Sequence, residues 1–194
     1  MTDFYADPKN VEDYIKMAEG YDGKELIPLL DQYLPKGATV LELGMGPGVD
    51  LDILSQRYQV TGSDRSPIFL ERYRQKNENA DLLLLDAITL ETERRFDAIY
   101  SSKVLHHLTP QELKQSLQKQ RQLLNVNGVL LHSFWYGDKE EMLHGMRFTY
   151  YSEGSLRVCV SDAYDILDLR RYSEIEHDDS LYILLRIKDS KLNY

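Results

Sequence analysis

At 194 residues the chain can close one complete hydrophobic core, burying roughly two-thirds of the surface its unfolded form exposes, and a second full domain is not expected. Its hydrophobic fraction of 42% and charged fraction of 28% match an ordinary globular protein and exclude disordered or collagen-like classes; no apolar run approaches the roughly 20 residues that cross a bilayer. A net charge of −9, with no basic cluster beyond Arg94-Arg95 and Arg170-Arg171, repels a phosphate backbone and points away from nucleic acid toward small molecules.

The amino terminus is acidic and lacks a basic region followed by an apolar stretch, so no signal peptide is expected and a cytoplasmic address follows. Asn10 can cap a helix over 11–19, and Asp22 with Glu25 three residues on marks a second helix running to Tyr33. Pro35-Lys36-Gly37 breaks the chain. Residues 39–43 form a short apolar run of the kind a buried parallel strand needs, ended abruptly by Gly44-Met45-Gly46-Pro47-Gly48. A helix over about 50–57, a strand over 58–64, a helix opened by Pro67 and a third strand over 81–85 closed by Asp86 follow in alternation.

Residues 96–100 make a fourth strand. Thr109-Pro110-Gln111-Glu112 is a capping box that opens a helix to about Leu124, stopped by Asn127-Gly128, and a fifth strand spans 128–134. The pattern then changes to an irregular stretch over 135–151, a helix over 152–160 around the lone Cys159, and two last strands over 164–172 and 181–188 joined by a polar turn. A single cysteine in an apolar stretch argues for a packing role in a reduced compartment.

Repeated β-α units imply an α/β doubly wound, mainly parallel seven-stranded sheet, and the terminal strand pair implies an antiparallel edge strand. We expect one domain over 1–194: an amino-terminal helical cap over 1–36, a cofactor-binding core over 37–134, and a substrate-side insertion with the last two strands over 135–194. Such sheets bind ligands at the carboxyl ends of their strands, where Gly44 to Gly48, Asp64, Asp86 and the segment 101–107 fall.

The glycine-rich turn lets backbone approach a ligand closely. Val49 stands where a dinucleotide fingerprint needs its third glycine, and Gly48-Val49-Asp50 replaces the Gly-Lys-Ser/Thr of a phosphate loop, so neither phosphate motif fits. Glu42 within the strand and Asp50 past the loop suit a ligand with ammonium or sulfonium character. Asp64, twenty residues after Gly44, sits where a carboxylate accepts both ribose hydroxyls, and Asp86 where one could accept from an adenine amino group. Each acid taken alone could equally be a helix cap or a solvated loop charge.

Together these residues resemble the class I S-adenosylmethionine-dependent methyltransferases. Residues 40–48 look like the family's first motif, 60–64 its second strand, Asp86-Ala87 its adenine-side motif, 96–108 its fourth-strand motif and 127–130 the start of its fifth strand. The resemblance implies a Rossmann-like fold that binds S-adenosylmethionine, with S-adenosylhomocysteine as product. It implies that Gly44, Met45, Gly46 and Gly48 pack along the methionine part, that Glu42 orients its amino group, and that Asp64 holds the ribose. Arg65 would lie beside the adenine, Asp86 and Ala87 at its edge, and Ser102 and Lys103 would offer backbone contacts near the sulfonium. Met45 departs from the smaller residue these enzymes often carry.

Methyl transfer is an in-line displacement catalysed mainly by alignment and exclusion of water, so a general base is optional. His107, beside His106 just past the fourth strand, is the candidate base, with a structural role in orienting its loop as the alternative. No metal site is expected, since adjacent histidines splay apart. The acceptor would lie between Tyr5, Tyr14, Met17 and Tyr21 on one side, Tyr14 also facing the cofactor, and Trp135, Tyr136, His144, Arg147, Tyr150 and Tyr151 on the other. Arg147 could pair with a carboxylate, although such an aromatic set can also simply pack a core. The expected partner is a small-molecule methyl acceptor, with no nucleic acid and no membrane, and the expected assembly a monomer or homodimer. A non-catalytic module that keeps the cofactor pocket for regulation or docking is the competing reading, and a nicotinamide-dependent oxidoreductase a third. Val49 and the lack of a Tyr-x-x-x-Lys pair count against the last.

Overall fold

The computed structural model of the chain describes residues 4–160 and 162–188; the first three residues of the amino-terminal cap lie outside them. Strands β1 (Thr39–Leu43), β2 (Gln59–Asp64), β3 (Leu82–Leu84), β4 (Phe96–Ser102) and β5 (Leu124–Trp135) run parallel in the order β3-β2-β1-β4-β5. Beyond them lie β9 (Ser180–Ile187) and β8 (Tyr164–Tyr172), so the sheet has seven strands. Strand β9 pairs antiparallel with both β5 and β8, and is the antiparallel strand at that end of the sheet. The order reverses between β1 and β4, which opens a crevice at their carboxyl ends.

Side-chain alternation sorts the core onto two faces. Leu41, Leu43, Ile99, Leu130 and Phe134 pack on one face with Leu113 and Leu117 of α4 (Pro110–Leu123) and Leu156 of α5 (Glu153–Cys159). Val40, Ala98, Tyr100, Val129 and Leu131 pack on the other with Leu26, Ile27, Leu30 and Leu34. Each fully buried leucine or isoleucine of this kind is worth about 1.5–3 kcal/mol relative to exposure. The remaining helices are α1 (Pro8–Met17), α2 (Val49–Leu54) and α3 (Pro67–Lys76). Among the described residues no helix is long and apolar enough to cross a membrane.

Three local expectations need correction. The first helix is capped by Asp7, whose side chain accepts from Lys9 N–H, because Pro8 is preorganised for the first helical position; Asn10 instead donates its amide to Phe4 O. The second helix is a short 3-10 segment, Ile27–Gln32, with Pro28 near its start, while Gly23 is tied to Asp50. The stretch after the fifth strand is not irregular: it holds an antiparallel hairpin, β6 (Glu140–Leu143) and β7 (Met146–Thr149). The capping boxes at Thr109–Glu112 and Ser152–Ser155 form as the sequence implies for the first, and fix the starts of α4 and α5.

Candidate functional site

A cavity of about 410 Å³ opens at the carboxyl ends of β1, β2 and β4. Gly44, Gly46, Asp64, Asp86, Ala87, Lys103 and His107 contribute to its walls, and the amino-terminal segment adds Phe4, Tyr5 and Tyr14. The hairpin β6–β7 closes the opposite side with Met142, Gly145, Met146 and Arg147.

The loop after β1 is built around Asp64. Gly46 has φ +49°, a left-handed conformation that glycine adopts at least cost, and its N–H donates to Asp64 Oδ2 over 3.0 Å. Ser66 N–H donates to Oδ1 over 2.8 Å. Asp64 is buried, and burial raises its pKa, partly offset by these two backbone donors and by the positive charge of Arg65. The Arg65 N–H also bonds this carboxylate, and with about four lone-pair sites on its two oxygens the group still keeps acceptor capacity for a hydroxyl in the cavity it lines.

Gly48 is glycine for a different reason. A Cβ there would lie 2.3 Å from the ring of Tyr73, so the missing side chain makes room for that ring. Met45 likewise turns into the core with Leu51, Leu70 and Tyr73, filling the space left bare by Gly62, whose Cβ would meet the Met45 sulfur at 2.7 Å. Neither residue lines the cavity among those forming its walls.

Glu42 points to the face shared with Tyr100 and is 4% exposed. Its Oε2 is buried without a hydrogen-bond partner, a costly state unless a donor is brought to it. Burial first, then the charges of Asp50, Asp64 and Asp52, push its pKa well above the usual carboxylate range. Asp50 is spoken for: Gly23 N–H donates to its Oδ1 over 2.6 Å and the Tyr100 hydroxyl to Oδ2 over 2.7 Å. Of the two acids expected to meet a cationic group, Glu42 is therefore the one with an unmet oxygen. Tyr14 stands near the same negative charges, and its hydroxyl pKa is pushed up to about 12 by burial, then by Asp64, Asp50 and Glu174.

On the other flank Asp86 accepts from Ile88 N–H and Thr89 N–H over 2.8 and 3.2 Å, closing a turn that presents Asp86, Ala87 and Ile88 to the cavity. Lys103 has φ +53° and its N–H approaches Ser133 Oγ at 3.1 Å. Its ammonium pairs with Glu174 at 2.8 Å, donates to Ser180 Oγ at 2.6 Å and lies 3.6 Å from the Trp135 ring centroid. Burial lowers the Lys103 pKa, against the opposing effect of Glu174. Ser102 makes a 3.2 Å hydroxyl contact with Ser133.

His107 Nδ1 lies 2.7 Å from the carbonyl of Arg147. A carbonyl only accepts, so Nδ1 carries the proton and Nε2 is left with its lone pair. Burial lowers the His107 pKa, the Arg147 carbonyl opposes this and Arg65 adds to it, so the ring is neutral at pH 7. His106 has a different environment: it is 2% exposed, both of its nitrogens lack partners, and it stacks on Phe148 at 5.1 Å.

The substrate-side residues read from the sequence are dispersed. Tyr5 and Arg147 line the cavity, whereas Met17 and Tyr21 are exposed, at 68% and 43%. Trp135 covers Lys103; Tyr136 carries the Arg171 guanidinium 3.6 Å from its ring centroid; Tyr150 donates to Glu141; Tyr151 is buried against Phe134. His144 is exposed in the left-handed turn of the hairpin. Phe4, Phe69, Val104, Leu108, Met142 and Met146 line the cavity without having been singled out. Phe69 had a usable signal, since Pro67 set the start of its helix; the hairpin methionines had none.

Residues 40–128, from β1 into β5, match the family model described as a methyltransferase domain. Among solved structures the chain is similar to a S-adenosylmethionine-dependent methyltransferase from Clostridium acetobutylicum, with TM-score 0.75 at 14% identity over 92% of this chain and 98% of that one. It is similar to the N-methyltransferase NodS from Bradyrhizobium japonicum, crystallised with S-adenosylhomocysteine, with TM-score 0.74 at 15% identity over 96% and 100% of the two chains. A third is the 1,6-didemethyltoxoflavin-N1-methyltransferase of Burkholderia thailandensis, with TM-score 0.70 at 20% identity over 92% of this chain and 87% of that one. Those likenesses establish the fold. The match over 40–128 marks that stretch as a methyltransferase domain, and with these shared folds makes the chain similar to the class I S-adenosylmethionine-dependent methyltransferases.

Proposed function

We propose that the chain transfers the methyl group of S-adenosylmethionine to a nitrogen or oxygen of a small acceptor bound in the cavity lined by His107 and the hairpin β6–β7. The observation that carries the cofactor assignment is the buried, unpartnered Oε2 of Glu42, which does not itself line the cavity but lies close enough to Asp64, which does, for their charges to interact. A carboxylate left short of a donor fits a ligand that brings an ammonium, and Asp64 fits one that brings vicinal hydroxyls. When bound, S-adenosylmethionine supplies a methyl group activated on a sulfonium. Glu42 would hold the amino group, Asp64 the ribose, and the Asp86–Ile88 turn the adenine edge, with Phe4, Tyr5 and Tyr14 excluding water.

His107 is the residue suited to move a proton. Its Nε2 is a neutral acceptor at pH 7, held in orientation by the bond from Nδ1 to Arg147 O, and can take the proton that an N–H or O–H acceptor loses. Arg147 pairs with Glu140 across the hairpin and lines the cavity, and it can exchange that exposed pair for an anionic group on the acceptor. The acidic surface favours a small molecule over nucleic acid, and the unpaired Cys159 suits a reducing cytoplasm. The test is incubation of the protein with S-adenosylmethionine labelled on the methyl group and a small-metabolite extract. Label in a low-molecular-weight product with matching S-adenosylhomocysteine is expected. Cofactor binding with no transfer from any fraction would overturn the catalytic reading in favour of a binding module.

A further inference from the structure

Four polar side chains with no solvent exposure, Ser101, His132, Gln120 and Ser116, cross the core between the sheet and α4. Ser116 Oγ donates to the carbonyl of Ala87 over 2.6 Å, and Gln120 Nε2 donates to Ser116 Oγ over 3.0 Å. That leaves Gln120 Oε1 to accept from His132 Nε2 at 2.8 Å, so His132 Nδ1 accepts from Ser101 Oγ, also at 2.8 Å. Every donor in the series points one way, from the carboxyl end of β4 toward the carbonyl of a residue that lines the cavity.

Apolar residues at these positions would fill the same space without demanding partners. Ser116 and Gln120 sit on the buried stripe of α4 with Leu113, Leu117 and Leu123, and His132 sits between Leu131 and the buried Phe134 strand positions on β5. A fully satisfied buried polar chain rigidifies and fixes one geometry more than it adds stability. What it fixes here is the turn after β3. Asp86 closes that turn on itself through Ile88 and Thr89, and Leu90 N–H donates to Asp86 O over 3.0 Å, while Ser116 ties the turn to α4 through Ala87.

We infer that Ser116, held by Gln120 and His132, is a positioning residue for adenine recognition, setting the Asp86–Ile88 turn against the base of the cofactor. The inference rests on the reading of the cavity given above. It is tested by calorimetric dissociation constants for S-adenosylhomocysteine and for its 6-oxo analogue S-inosylhomocysteine, which differs only at the adenine edge. The unmodified protein should prefer the adenine form. Ser116→Ala should weaken binding of the adenine form by about two- to tenfold and the analogue less, shrinking the preference, with Ser116→Thr keeping the hydroxyl and the preference. Gln120→Met should shift the preference in the same direction by a smaller factor, and serves alone if Ser116→Ala fails to fold. A lowered melting temperature with an unchanged preference in these variants would overturn the inference. Failure of the unmodified protein to bind either compound would instead overturn the reading of the cavity.

Discussion

His107 and Arg147 are forty residues apart, yet the ring nitrogen Nδ1 of the first donates to the main-chain carbonyl of the second over 2.7 Å. That bond joins the segment after β4 to the hairpin β6–β7, fixes the tautomer of the imidazole and leaves Nε2 as its basic atom. It also gives the hairpin a part in the chemistry proposed for the site.

If His107 takes the acceptor's proton, kcat/KM should rise with pH through a single limb lying below pH 6.5, the ordinary histidine value, and be flat at neutral pH, because burial lowers this pKa. His107→Asn should lower kcat by about 10²-fold and abolish that limb, with little change in cofactor affinity. An unchanged pH profile in His107→Asn would assign the ring a structural role only.

Glu42 presents opposite costs in the free and bound protein. Its Oε2 is buried without a partner, so Glu42→Gln, which removes a charge disfavoured by burial and by three neighbouring acids, should raise the melting temperature of the free protein. The same change should weaken S-adenosylmethionine binding by about tenfold or more, since a charge-assisted hydrogen bond is worth roughly 1.5–3 kcal/mol. Thermal unfolding and titration calorimetry on one variant read both effects.

The ion pair of Lys103 and Glu174 is mostly buried, with side-chain exposures of 12% and 18%. Glu174→Ala should cost about 3 kcal/mol in urea unfolding by stranding the ammonium beside Trp135. Combining it with Lys103→Met should recover part of the loss, because the apolar side chain leaves no stranded charge.

His132 is completely buried, and burial lowers its pKa to about 3. Below pH 6.5 the unfolded chain takes up a proton at this imidazole that the folded chain refuses until about pH 3, so its contribution is complete above pH 6.5 and is lost as pH falls through that window. His106, also depressed by burial, acts with the same sign. The slope of unfolding free energy against pH near pH 5 should therefore be smaller in His132→Gln than in the unmodified protein by about 1 kcal/mol per pH unit. Equal slopes would contradict a buried neutral His132.

The parts of the fold legible in the sequence were those where local chemistry and tertiary demand agree. Thr39 to Leu43 read as a buried parallel strand, Thr109-Pro110-Gln111-Glu112 as a helix start, and Gly44, Asp64 and Asp86 as residues at the carboxyl ends of their strands, where all three line one cavity. The hairpin β6–β7 was hidden because Lys139, Glu140 and Glu141 break any alternation, and its stability comes from ties such as Tyr150 to Glu141 and Arg147 to Glu140. Aromatic residues after β5 read as one wall, but Trp135 is drawn to Lys103 and Tyr136 to Arg171, cations distant in sequence. Ser116 and Gln120 interrupt the apolar stripe of α4, and because their partners Ala87 and His132 lie on other elements no local pattern marked them.

The most direct test of the account is a calorimetric titration of the purified protein with S-adenosylmethionine, S-adenosylhomocysteine and NAD in separate runs. Binding of the first two, with no heat from NAD, is the predicted result. Binding of NAD alone, or of none of the three, would contradict the assignment of the cavity lined by Gly44, Gly46 and Asp64 to the methyl donor.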